Sequence, residues 1–194
     1  MNGMEPGDQA MVEAIRSGDQ TAAARLVHVH YQRIYAFLRR LSGNDEDAQD
    51  LTQRTFARIW QALAGFAGRA SLSSWIHGIA YHVYLDWRRV HKPTEARPDE
   101  WWACRPAPED APDEITVRKD FAARLYKLVD TLPADLRETI HLHYYQGLSL
   151  QETADAMEVA TSTVKYRQRQ AIAELQQKLA GDGAVIRSEP LTKP

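Results

Sequence analysis

Residues Leu132–Leu179 constrain this chain more than any other stretch, because LPADLRETIHLHYYQGLSLQETADAMEVATSTVKYRQRQAIAELQQKL reads as a helix-turn-helix ending in a basic, polar-faced helix. Ser149 and Glu152 form an S-x-x-E capping box, which satisfies the free N–H groups at a helix start. The short helix that follows, Leu150–Met157, carries Ala154, small enough for another helix to cross closely. Residues Glu158–Thr161 break the pattern before a second helix, Ser162–Leu179. Val164, Ala171, Leu175 and Leu179 recur at helical spacing and point inward. Lys165, Tyr166, Arg169 and Gln170 fall on the other faces, long enough to reach phosphates and base edges in a major groove. Duplex DNA binding is the reading this favours. Its plain rival is a helical hairpin inside a structural bundle.

The chain has 194 residues, room for one domain or two small ones, and 44% hydrophobic content suffices for packed cores. No apolar run is long enough to span a bilayer. The opening MNGMEPGDQAM lacks the basic and apolar parts of a signal peptide, so a cytoplasmic location is expected. A single cysteine, Cys104, excludes an internal disulfide and any multi-cysteine metal site. The net charge of −2 argues against nucleic acid until its distribution is considered. Between Arg69 and Lys92 the only acid, Asp86, faces Arg69, Arg88, Arg89 and Lys92. The last helix sets Lys165, Arg167, Arg169 and Lys178 against Glu174 alone. Acids gather elsewhere, among them Glu95, Asp99, Glu100, Glu109, Asp110, Asp113 and Glu114. Two basic faces with an acidic connector between them suit two DNA contacts.

An all-α fold is expected, since hairpin turns and alternating segments are nearly absent. The periodicity predicts helices over Gln9–Ser17, Thr21–Leu41, Asp45–Ala64, Leu72–Val90, Ile115–Leu128, Ala134–Tyr145, Leu150–Met157 and Ser162–Leu179. Five prolines, Pro93, Pro98, Pro106, Pro108 and Pro112, mark a linker. The expected organisation is a helical domain over residues 8–92, a flexible acidic linker over 93–114, a helix-turn-helix domain over 115–180 and a disordered tail over 181–194.

Chemistry finds little support. His28 and His30, like His141 and His143, lie two apart in helical patterns, about 200° around the axis, and cannot grip one ion together. Cys104 has no base held near it, and phosphate-binding glycine loops are missing. No cofactor, metal or catalytic residue is expected. The aromatics Phe56, Trp60, Phe66, Trp75, Tyr81, Tyr84 and Trp87, interleaved with Arg58, Arg69, Arg88 and Arg89, are more informative. Phe56, Trp60 and Tyr84 read as core at helical spacing. Phe66 lies in the Gly65–Ala70 break, where a core residue is less expected and an unstacked base has room to stack. One domain that holds single-stranded DNA and another that holds a duplex suit few functions.

Taken together, these segments closely resemble the extracytoplasmic-function (ECF) sigma factors, small members of the sigma-70 family. DEDAQDLTQRTFARIW, residues Asp45–Trp60, resembles the segment that docks on the clamp helices of RNA polymerase core. FAGRASLSSWIHGIAYHVYLDWRR, residues Phe66–Arg89, resembles the element that melts and reads the −10 promoter region. Leu132–Leu179 resembles the domain that reads the −35 element. The resemblance runs from about Asp8 to Leu179. It implies a transcription initiation factor without catalytic activity, whose partners are core polymerase, promoter DNA and, as for many relatives, an anti-sigma factor, with no membrane insertion. It assigns core docking to Asp47, Asp50, Gln53 and Arg54. It assigns −10 melting and reading to Phe66, Gly68, Arg69, Ser71, Trp75, His82, Arg88 and Arg89, with Trp75 either a wedge at the strand junction or a core anchor. Reading of −35 falls to His143, Ser162, Lys165, Tyr166, Arg167, Arg169 and Gln170; Arg167 also has an angle that allows a contact within its own domain.

Five positions depart from the family pattern. His82 stands in place of asparagine and Arg54 in place of glutamate. Glu158 occupies a turn position where glycine is common, at a left-handed cost of about 1 kcal/mol. Ala160 replaces a capping serine, leaving Thr161 to cap, and Gln168 replaces an inner-face leucine. Trp101 and Trp102 suit a partner anchor or the cover of a domain face. Two rivals stay open: a polymerase-independent helix-turn-helix regulator, which would bind duplex DNA alone as a dimer, and a helical adaptor that binds only proteins.

Overall fold

Several helix starts carry a side-chain cap. In the computed structural model, which describes residues 6–91 and 124–181, α1 spans Pro6–Arg16 and α2 spans Gln20–Ser42. Asp19 caps α2 by accepting from the N–H groups of Thr21 and Ala22, and Gly43 ends it at φ 91°, where a side chain would be strained. Asn44 caps α3, Asp45–Ala62, and Asp45, Glu46 and Asp47 in its first turn complement the helix dipole. A 3₁₀ turn, Leu63–Gly65, closes α3, and Ser71 caps α4, Leu72–Val90. Residues 124–130 form α5 within the described region, followed by α6, Ala134–Ile140. Then come α7, Leu150–Met157, and α8, Thr161–Gly181. The described residues contain no strand.

Two details correct the expected helices. Ala134–Tyr145 is not one α-helix, because its last part, His141–Tyr145, winds as a π turn closed by a Gln146 N–H to His141 C=O bond of 3.0 Å. His141, Leu142 and His143 are all buried, so this segment is enclosed on every side and both rings are covered. Thr161 does not cap α8. Its hydroxyl donates to Gln151 Oε1 at 2.7 Å, and the Ala160 carbonyl accepts from the N–H groups of Thr163 and Val164. The linker, Trp101, Trp102, Cys104 and the tail from residue 182 on lie outside the described residues.

The described chain falls into two units, one of residues 6–91 with 141–165 and one of residues 124–140 with 166–181. In the first, Leu26, Ile34, Phe37, Leu38, Leu51, Ile59, Ile76 and Tyr84 form a dry centre among α2, α3 and α4. Leu148, Ala156 and Met157, around and within α7, join that same core. Arg16 reaches from α1 to the carbonyls of Leu63, Ala64 and Phe66 at 3.1, 3.0 and 2.6 Å, and so anchors the α3–α4 connection. In the second unit, Tyr126, Val129, Leu132, Leu136 and Ile140 are buried, as are Ala171, Leu175 and Leu179 of α8. Lys178 Nζ donates to the Thr131 carbonyl at 3.2 Å, and Arg167 pairs with Asp135 at 3.3 Å.

Candidate nucleic-acid interface

On α3, Leu51, Thr52, Thr55, Phe56 and Ile59 are buried while Asp50, Gln53 and Arg54 are exposed. The 3.6-residue period alone produces this division. Arg54 pairs with Asp50 one turn earlier at 2.7 Å. Asp47 is half-buried, its N–H and carboxylate both taken by Asn44. Trp60, expected in the core, is 40% exposed on this helix. Its position one residue after Ile59 turns it about 100° away from the buried face.

The loop between α3 and α4 and the start of α4 carry Phe66, Gly68, Arg69, Ser71 and Trp75, while His82, Arg88 and Arg89 follow along α4 towards its end. Phe66 is buried at 6% exposure and packs against Trp75 with ring centroids 4.9 Å apart. The expectation that Phe66 stands outside the core is therefore corrected; Arg16 draws the backbone in and Trp75 covers the ring. Gly68 turns at φ 66°, leaving Arg69 exposed on the outer side of the loop. Ser71 caps α4 and half-buried Trp75 sits on its first full turn. One turn further, Gly78 and Ile79 precede His82, whose Nδ1 lies 2.8 Å from the Gly78 carbonyl. Trp75, Gly78, His82 and Arg58 line an open cavity of about 560 Å³. At the end of α4, Arg88 stands over the Tyr84 ring at 5.5 Å, and Arg89 and Arg58 both reach Asp86.

Behind this surface lies a buried polar cluster that no sequence pattern announced. His77 is fully buried on α4, edge-on to Phe37, and burial pushes its pKa down to about 4. Its Nδ1 lies 2.7 Å from the Ser73 carbonyl. The Gln146 side chain stands beside the ring but leaves Nε2 without a well-formed hydrogen bond. Burial also lowers the pKa of the neighbouring His30.

The helix-turn-helix keeps its expected inner face, with Val164, Ala171, Leu175 and Leu179 all buried. Glu152 accepts from the Ser149 N–H at 2.9 Å and Ser149 Oγ accepts from the Glu152 N–H at 3.2 Å, the reciprocal capping box. Glu158 takes up the left-handed turn at φ 54°. On α8, Ser162, Lys165, Tyr166, Arg169 and Gln170 are exposed, Tyr166 at 64%. Two of the expected −35 residues face inward. His143 is 7% exposed with Nδ1 2.6 Å from the Leu148 carbonyl, so its ring supports the turn and is not presented to a duplex backbone. Arg167 is tied to Asp135, the contact within its own unit that its angle allowed.

Comparison with known proteins places this arrangement. The sigma-70 region 2 family matches residues 26–94, and sigma-70 region 4 matches residues 122–175. The chain is 32% identical to the ECF RNA polymerase sigma factor SigE of Mycolicibacterium smegmatis over 184 residues, covering 91% of this chain and 71% of that protein. It is 30% identical to the ECF RNA polymerase sigma-E factor of Escherichia coli K12, covering 85% and 92%. The fold is shared with CnrH, solved in complex with the cytosolic domain of CnrY, at 23% identity and a TM-score of 0.66 over 90% of this chain and 98% of that one. It is shared too with RpoE of Bartonella quintana, solved with the anti-sigma factor NepR, at 23% identity and a TM-score of 0.62 over 82% and 97%. A regulator or an adaptor would not carry both sigma regions in this order. The chain belongs to the ECF sigma factors of the sigma-70 family. It is a transcription initiation factor that directs RNA polymerase core to promoters.

Proposed function

We propose that this chain docks on the clamp of the largest polymerase subunit through Asp47, Asp50, Gln53 and Arg54. It melts and reads the −10 element with the surface of Gly68, Arg69, Ser71, Trp75, His82, Arg88 and Arg89, and reads the −35 element with Ser162, Lys165, Tyr166, Arg169 and Gln170. Phe66 supports that surface from below, and His143 and Arg167 position their own elements. The observation that carries the reading is the division of α8, whose buried stripe of Val164, Ala171, Leu175 and Leu179 leaves a polar, basic, aromatic-bearing face outward. The protein acts without catalysis of its own, in the cytoplasm beside the polymerase. No helix among the described residues is long and apolar enough to cross a membrane. An anti-sigma factor is a fitting partner, as two proteins of the same fold were solved with one or with a cytosolic domain. In vitro transcription with purified core on genomic DNA, with 5′-end mapping, tests the function. Discrete start sites preceded by shared −35 and −10 sequences are expected; starts no different from those of core alone would sink it.

A further inference from the structure

The loop that carries Gly68, Arg69 and Ser71 has little to hold it from within. Residues 67–70 make no backbone-to-backbone hydrogen bond among the described residues. Both ends of the loop are tied instead to α1. At one end Arg16 Nη2 donates to the carbonyls of Leu63, Ala64 and Phe66, at 3.1, 3.0 and 2.6 Å. These carbonyls surround the 3₁₀ turn Leu63–Gly65, where a helix leaves its last acceptors without partners of its own. At the other end Asp8 Oδ2 accepts from the Leu72 N–H at 3.2 Å, the first donor of α4. A cation thus meets a helix end and an anion a helix start, each the sign that the helix dipole favours.

Asp8 and Arg16 stand eight positions apart on α1, about 12 Å along its axis. The helix is fixed by Val12, which is buried, and by Met11 and Ile15 packed against the same core. Between the two ties, α1 and the loop part around a cavity of about 190 Å³ lined by Val12, Phe66 and Ala67. The loop therefore rests on α1 at its ends and not along its length. Arg16 is itself exposed and Asp8 half-buried, so both act through polar contact and not through core volume.

We propose that α1 is a splint for the −10 loop, and that Asp8 and Arg16 are positioning residues that fix the separation of the loop's ends. Where Gly68, Arg69, Ser71 and Trp75 stand against a promoter strand follows from that separation, and with it the preferred −10 sequence. The inference rests on the −10 assignment under the proposed function. A loop held at both ends also has less freedom to lose when DNA binds.

Holoenzymes carrying Arg16→Ala, Asp8→Ala or Asp8→Asn test this on promoters randomised at −10 and, separately, at −35. Arg16→Ala should relax the selected −10 sequence and slow opening, by permanganate reactivity, at least about tenfold, the scale of one lost charge-assisted hydrogen bond. Its core affinity and its selected −35 sequence should match the parent, which a general loss of folding would not spare. Asp8→Ala should act in the same direction, whereas Asp8→Asn, which keeps an acceptor for the Leu72 N–H, should retain the parent −10 preference. Parent-like −10 selection and opening in both alanine variants would overturn the splint. So would a loss of −10 preference with equal losses in core affinity and −35 selection, since the two residues would then only hold the fold. Should Arg16→Ala fail to fold, the Asp8 variants decide alone, and identical behaviour of Asp8→Ala and Asp8→Asn would overturn the proposal. Arg69→Ala and Trp75→Ala judge the −10 assignment itself. If they leave opening unchanged, the assignment fails and the splint with it; if they slow opening while the α1 variants do not, the assignment stands and only the splint is lost.

Discussion

His77 illustrates how one buried group ties stability to pH. Its pKa is 6.5 in an unfolded chain and about 4 in the fold, so the folded ring stays neutral where the unfolded one is charged. Between those values the unfolded state binds the extra proton, and stability falls as pH falls. It is full above about pH 6.5 and declines towards pH 4, by about 3 kcal/mol in all. His30 acts in the same direction, while Arg33 nearby adds to the cost of charging His77. Urea midpoints between pH 7 and pH 4.5 should drop steadily, and His77→Leu should reduce the drop to the share left by His30; an undiminished slope would place its origin elsewhere. Phe66 makes a second residue-level case. As a buried ring against Trp75, Phe66→Ala should cost about 3–5 kcal/mol of stability. Phe66→Leu should keep most of the promoter opening. A parent-like denaturation midpoint in Phe66→Ala would return the ring to the role of a stacking platform.

At the scale of elements, α3 offers the cleanest separation of docking from folding, because its buried and exposed faces share no residue. Asp50→Ala with Gln53→Ala removes two exposed polar groups and no core contact. Core affinity should fall in a titration while the helical circular dichroism spectrum is unchanged; unaltered affinity would move docking off this helix. This helix was legible because its whole signal is local, with Asn44 and three acids at the start and a 3.6-residue apolar stripe. The same holds for α4 and α7, whose limits, Leu72–Val90 and Leu150–Met157, follow from serine caps. What local pattern does not carry is a partner distant in the chain. Arg16 holding the Phe66 carbonyl lies 50 positions away, and Ser71 meets Glu152 across 81. Burial of Phe66 and the placement of α7 against α4 depend on such contacts. The inward turn of His143 has a nearer cause, the Leu148 carbonyl five residues on, which helical register does not predict. Of the candidate site, the exposed half of α8 follows from periodicity, whereas the packing of α7 against α4 does not.

For the whole molecule the decisive quantity is where its cations stand, since a net charge of −2 gives little general attraction to DNA. Several bases are spent internally: Arg58 and Arg89 on Asp86, Arg167 on Asp135, and Lys178 on Thr131. Lys165 and Arg169 stay exposed on α8 beside Tyr166. That charge balance makes duplex binding by the chain alone weak and salt-sensitive, and leaves selectivity to particular side chains held in place by the polymerase. Arg169 separates the two roles. If it reads a base edge, Arg169→Ala in the holoenzyme should relax preference at one −35 position and cost about 1–3 kcal/mol there. If it meets only phosphate, affinity should fall evenly across sequences and the salt slope should shrink by about one. Selection from promoters randomised at −35, run with parent and variant holoenzymes at several salt concentrations, tells these apart. An identical motif with identical salt dependence would mean that this face of α8 does not meet the −35 duplex.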